Sequence, residues 1–184
     1  MRVISGTARG TKLKSVEGLS TRPTLDRVKE SVFNILNSDI EIRESRVLDL
    51  FAGSGALGIE ALSRGASRCV FVDKDVASIK IVKENLEKTR LADKADIYML
   101  EAGAAVSRLR GEKFDIVFLD PPYSKDIVPR IIGEIISSGI LSGGAVVVVE
   151  HDKDDAILDR YGNLAMYKTR QYGGIAVSFF ELEE

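Results

Sequence analysis

The segment Val47-Leu48-Asp49-Leu50-Phe51-Ala52-Gly53-Ser54-Gly55-Ala56-Leu57-Gly58-Ile59-Glu60-Ala61-Leu62 constrains the fold more than any other stretch of this chain. A short apolar run meets a glycine-rich turn and continues as an apolar-periodic helix. Gly53, Gly55 and Gly58 carry the spacing G-x-G-x-x-G, and Asp73 closes the next apolar run, Val70-Phe71-Val72. In a strand-turn-helix unit such glycines permit a tight turn and a close approach of backbone to ligand, and the later acid suits ribose hydroxyls. Beyond this unit the chain alternates apolar strands with amphipathic helices, which implies a parallel sheet covered on both faces. Strands are expected at 46–51, 69–73, 95–100, 115–119 and 144–149, and helices near 56–64, 76–89, 102–109 and 126–138. Gly143-Gly144 reads as the turn into the run of valines Val146 to Val149, which suits a sheet centre. The alternation then breaks: Leu164 to Tyr172, Gly173-Gly174 and Ile175 to Leu182 read as an antiparallel hairpin.

The spacing alone leaves NAD and S-adenosylmethionine as candidate ligands, and Asp49 decides between them. It lies four positions before the first glycine, at the strand end that faces the ligand. A carboxylate there repels a pyrophosphate but attracts a sulfonium and an ammonium. The reading is therefore S-adenosylmethionine, held by Asp49, Phe51, Gly53, Ser54, Gly55, Gly58 and Asp73. Glu101, at the end of the third strand, either accepts from the adenine amino group or caps the following helix. Asn34 is placed facing the cofactor.

A second motif, Asp120-Pro121-Pro122-Tyr123, follows the apolar run Phe114 to Leu119. Prolines cannot donate hydrogen bonds, so the loop offers stiff, free carbonyl acceptors. Asp120 adds a charged acceptor and Tyr123 a stacking face. A nucleobase with an exocyclic amine fits such a pocket, and neighbouring strands would set it beside the cofactor.

Charge distribution points to the partner. Residues 1–30 hold seven basic and three acidic side chains, a net +4, while the whole chain is −2, so the remainder is −6. A basic segment on an acidic body suggests a polyanion held locally. Arg9, Lys12, Arg22, Arg27 and Lys29 are the expected contacts, with Thr24 capping a helix through Val28, Val32, Phe33, Ile35 and Leu36. The single cysteine, Cys69, excludes an internal disulfide and fits a reducing cytoplasm. The single histidine, His151, is expected as a solvated strand-end residue, and with no cysteine cluster beside it no metal site is expected. No apolar run approaches the ~20 residues of a membrane span, and nothing demands a second copy, so a monomer is the expectation.

Gly10 with Lys12-Leu13, Arg22-Pro23-Thr24, Asp26-Arg27-Val28, Glu30 and Phe33-Asn34 resemble the N-terminal signature of the bacterial 16S rRNA guanine-N2 methyltransferases of the guanine-966 type. Phe51 to Gly58, Glu60 to Ala66 and the Asp-Pro-Pro-Tyr loop continue that resemblance, which spans most of the chain from about residue 4 to the final hairpin. Thr11, Lys29 and Glu101 depart from the residues usual in that family. The resemblance implies a class I S-adenosylmethionine-dependent methyltransferase fold, an α/β Rossmann-like sheet of seven mostly parallel strands with an antiparallel C-terminal hairpin. A small basic RNA-contacting extension, residues 1–40, would precede the methyltransferase domain, residues 41–184. It further implies one guanine of the small-subunit rRNA as acceptor, in a subunit or its assembly intermediate. Asp120, Pro121, Pro122 and Tyr123 would form the catalytic loop. Asp-Pro-Pro-Tyr also occurs in adenine-N6 DNA methyltransferases and other RNA guanine-N2 methyltransferases, which are the alternative readings.

Overall fold

The computed structural model describes residues 1–16, 23–122 and 127–183. Expected contacts at Arg22 and Tyr123 lie outside them. In chain order the elements are α1 (Pro23–Asp39), β1 (Arg46–Asp49), α2 (Ala56–Ser63), β2 (Arg68–Asp73), α3 (Val76–Thr89), β3 (Ala95–Met99), α4 (Ala102–Arg108), β4 (Phe114–Leu119), α5 (Ile127–Ser138), β5 (Leu141–Asp152), β6 (Arg160–Tyr161), β7 (Leu164–Tyr172) and β8 (Ile175–Leu182). The strands form one sheet in the order β3-β2-β1-β4-β5-β8-β7-β6. β1 to β5 run parallel, and β8 returns antiparallel against β5. The order reverses between β1 and β4, so the loops after these strands open a crevice there.

Period-two alternation divides the strands between two cores. Val47, Phe71, Phe118, Val148 and Phe179 face α1, α2 and α3, while Leu48, Val70, Val117, Val147 and Phe180 face α4 and α5. Both faces are dry, which is why β4 and β5 read as continuous apolar runs. α3 starts where the Asp75 carboxylate accepts from the Ser78 N–H at 3.0 Å and stops at Arg90, whose φ of 59° is left-handed.

Five expectations are corrected. α1 begins at Pro23, so Thr24 lies inside its first turn; proline is preset for the first helical position because its missing N–H has no partner there. Gly143 and Gly144 lie within β5 and not in a turn before it, where Gly144 takes a φ of 71° and the register against β4 shifts. That is the behaviour of a bulge. Among the described residues the sheet has eight strands, not seven, because the two-residue β6 pairs with β7. His151 is buried within β5, with Nε2 2.9 Å from the Ser178 hydroxyl and Nδ1 2.8 Å from the Asp152 carbonyl.

The fifth concerns Lys29, expected at the RNA surface. It is 3% exposed, and its ammonium donates to Glu60 at 2.9 Å and to the Arg2 carbonyl at 2.6 Å. Glu60 is fully buried and also accepts from Arg64 Nε at 2.8 Å and from the N–H groups of Ile4 and Ser5 at 2.8 and 3.0 Å. A buried carboxylate requires such saturation, and α1 supplies it with a lysine. The network clasps the N-terminal segment onto α2. Ser63 completes it, its hydroxyl donating to the Ser5 carbonyl at 2.6 Å and accepting from the Ala8 N–H at 2.9 Å. At Gly6, φ is 83° and an added Cβ would fall 1.7 Å from the Ser63 carbonyl oxygen, so only glycine fits the clasp.

Candidate active site

The crevice is built from the carboxyl ends of β1, β2, β4 and β5. Asp49 ends β1 and is 2% exposed. Its Oδ2 accepts from the Gly58 N–H at 3.2 Å, in the first turn of α2. Burial raises its carboxyl to about 7; the Gly58 bond opposes this and the charge of Asp73 adds to it. The glycine loop takes the conformations its sequence allows. Gly53 and Gly55 have φ of 53° and 77°, and Gly55 is the N-cap of α2. Gly58 serves packing: an added Cβ would lie 2.3 Å from the Phe71 ring and 2.7 Å from Cys69 Sγ. By contrast, no atom lies within 4 Å of a Cβ built on Gly53, so the loop borders open space.

Asp73 orders this loop from β2. Its Oδ2 accepts from the Gly53 N–H at 2.8 Å and its Oδ1 from the Asp75 N–H at 2.9 Å. Ser54 is tied to the interior through its carbonyl, which accepts from Asn85 Nδ2 at 2.8 Å. Beside Asp73 lie two exposed apolar residues, its cross-strand partner Met99 and Val76 at the start of α3. They form an apolar rim next to a polar anchor, as a purine nucleoside requires. Sequence reading missed both, because an isolated apolar residue at a helix start or strand end has no periodic signal.

Glu101 occupies the N-cap position of α4, but its side chain makes no capping bond and pairs with Lys74 at 3.3 Å, exposed. Asn34 is exposed on α1. Phe51 packs against the core shared by α4 and α5. Pro121 and Pro122 follow Asp120 at the crevice rim. Of the basic residues expected at the surface, Arg9, Lys12 and Arg27 are exposed.

The electrostatic feature of the crevice is a row of acids. Val47, Phe118 and Val148 lie on the face covered by α1 to α3, so the alternation puts Asp49, Asp120 and Glu150 on that same face, at the end of β1, just past the end of β4 and two residues before the end of β5. Crowding by surrounding protein, then the charges of Glu150 and Asp49, hold the Asp120 carboxyl well above the ordinary range. Asp120 is nevertheless exposed to solvent, so water screens part of this crowding effect. Burial also raises Glu150. Glu150 was missed in the sequence because an acid closing a valine run looks like a solvated strand end. A row of carboxylates at the switch point is a poor site for a phosphate and a good one for a cation. The donor set therefore fits a ligand with sulfonium and ammonium charges, a purine ring and a ribose.

A family model described as "Conserved hypothetical protein 95" matches residues 1–181. The chain is 42% identical over 183 residues to the Bacillus subtilis protein named "Putative rRNA methyltransferase YlbH", covering 98% of each. It is 32% identical to "Ribosomal RNA small subunit methyltransferase D" of Escherichia coli K12, covering all of this chain and 90% of that protein. Among solved structures, "Putative methyltransferase yhhF from Escherichia coli" superposes with a TM-score of 0.88 at 33% identity, covering 100% of this chain and 98% of that one. The expected class I methyltransferase fold, a mostly parallel sheet ending in an antiparallel hairpin, is the fold observed.

Proposed function

We propose, from the premise that this chain belongs to the family described as conserved hypothetical protein 95, that it transfers a methyl group from S-adenosylmethionine to the exocyclic N2 amine of one guanine, of the guanine-966 type, in the 16S rRNA of the small ribosomal subunit. The observation that carries this reading is the row Asp49, Asp120 and Glu150 at the switch point of the sheet. The relatives named as rRNA methyltransferases support the substrate class.

S-adenosylmethionine supplies an electrophilic methyl on a positively charged sulfur. Asp49 and the loop Phe51 to Gly58 are the residues to hold its amino acid end, Asp73 the ribose, and Val76 and Met99 the adenine faces. Glu101 and Asn34 stand as further contacts to the cofactor. On the acceptor side a guanine amine is a weak nucleophile, its lone pair delocalised into the ring. Hydrogen bonds from its two N–H groups to the Asp120 carboxylate and the Pro121 carbonyl favour a pyramidal nitrogen and free that pair. Positive charge then develops on nitrogen beside Asp120, where it is stabilised. The base must leave its helix to reach the crevice, and Pro122 and Tyr123 give the loop stiffness and a stacking face. Arg9, Lys12, Arg22 and Arg27 are the proposed RNA contacts, and the enzyme works as a monomer in the cytoplasm.

The test compares wild type with Asp120→Ala in transfer of labelled methyl to unmethylated small-subunit RNA. The variant should lose on the order of 10²–10³ in turnover while binding S-adenosylmethionine as tightly as wild type. Near wild-type turnover would contradict the role given to Asp120.

A further inference from the structure

We propose that Glu150 takes, through Asp120, the proton that the acceptor amine sheds once it is methylated. The inference rests on the methyl-transfer reading above and extends it to a residue outside the Asp-Pro-Pro-Tyr loop.

Register carries the placement. β4 and β5 are parallel with Leu119 opposite Val149, so the next residues along, Asp120 and Glu150, are neighbours on the face shared with Asp49. Glu150 is half-buried, and among the described residues its carboxylate makes no hydrogen bond or ion pair, in contrast to Asp49 and Asp73. The opposing residue of β8 is Val177, whose side chain can neither accept nor donate. The titratable and charged groups that strand alternation places toward the crevice end of this face are Asp49, Asp73, Asp120, Glu150 and Asp152, with Lys168, Arg170 and Tyr172 on β7. Lys168 pairs with Asp39 at 3.2 Å, and Tyr172 is hydrogen bonded to Ser31 of α1 at 2.5 Å. Arg170, two strands from Glu150 across Val177, donates to the Thr169 carbonyl at 2.9 Å. The cations that α1 and α2 send inward, Lys29 and Arg64, are taken by Glu60. No cation among the described residues is paired with Asp120 or Glu150, and each carboxyl is held above its ordinary range. Two such neighbours keep a proton between them more readily than either does alone.

The chemistry of the transfer supplies that proton. The nitrogen lone pair forms the N–C bond as the C–S bond breaks, its electrons going to sulfur. One N–H bond then breaks, its electrons returning to nitrogen and its proton passing to Asp120 and on to Glu150, which releases it to water. Glu150 thereby restores Asp120 to the ionised form that the next amine requires. It acts through Asp120 and is a positioning residue for the proton.

The experiment measures wild type, Glu150→Gln and Glu150→Asp in two ways: the pH dependence of methyl transfer, and the titration of the Asp120 carboxyl by carbon NMR on protein without acceptor. Glu150→Gln should lower turnover on the order of tenfold, less than loss of a direct base, because Asp120 remains. It should also move the acid limb of the rate profile and the Asp120 titration to lower pH, since a like charge has gone. Glu150→Asp should restore both toward wild type. An Asp120 titration that does not move, or a rate lowered equally at every pH, overturns the inference. Methyl transfer to an amine other than guanine N2 overturns the substrate reading alone, and the same profile on that amine still decides Glu150. No transfer to any acceptor overturns both.

Discussion

Asp49→Asn should stabilise the ligand-free protein at neutral and alkaline pH while weakening its binding of S-adenosylmethionine. The Asp49 carboxyl is raised from 3.8 to about 7, burial being the largest cause. A carboxyl raised in the folded state binds more protons there than in the unfolded chain between these two values. Its stabilising contribution is complete below about pH 4 and is lost as pH rises through about 7. At about 1.4 kcal/mol per pH unit, the ionised form costs the fold about 4 kcal/mol above that window. Asparagine carries no charge, and its carbonyl can still accept from the Gly58 N–H, now 3.2 Å away. The variant and wild type should therefore unfold alike near pH 4 and diverge as pH rises. By pH 8 the gap should reach about 2–4 kcal/mol, or roughly 4–16 °C in melting temperature for a domain of this size. Chemical and thermal denaturation of both proteins from pH 4 to 9 measures it, the difference cancelling groups common to both. A gap independent of pH, or a variant less stable than wild type at pH 8, would refute the reasoning. Such a cost at a buried acid is what a cationic ligand relieves.

Three other outcomes follow from the same structure. Glu60→Ala should destabilise by about 3–5 kcal/mol in denaturant unfolding, because it leaves the Lys29 ammonium buried and strands the N–H groups of Ile4 and Ser5. Gly58→Ala should cost about 1–3 kcal/mol by overpacking against Phe71 and Cys69, with α2 displaced from β2. Alanine at Arg9, Lys12 and Arg27 together should weaken RNA binding and lower its salt dependence by about one ion released per residue, whereas Lys29→Ala should show its effect chiefly as lost stability.

The sequence was most legible where a local rule acts. Gly53 and Gly55 needed left-handed backbone, Asp49 stood at a strand end before them, and β2, β3, β4 and the final hairpin fell within a residue or so of their expected limits. Legibility failed where a polar residue is satisfied by a partner distant in the chain. Lys29 read as surface because its partner Glu60 lies on another helix, and a lysine in an amphipathic pattern carries no mark of burial. His151 failed similarly, its ring nitrogen being satisfied by Ser178 on β8. Glu150 became visible only when the register of β4 and β5 put it beside Asp120. Gly143-Gly144 looked like a turn because a bulge inside a strand and a turn before one use the same residues.

The most direct measurement is methyl transfer from labelled S-adenosylmethionine to unmethylated small ribosomal subunits, naked 16S rRNA and duplex DNA in parallel, with the product nucleoside identified by mass. N2-methylguanosine from a ribosomal sample, and none from DNA, is the predicted result. N6-methyladenine from DNA, or no methylated guanine from either ribosomal sample, would contradict it.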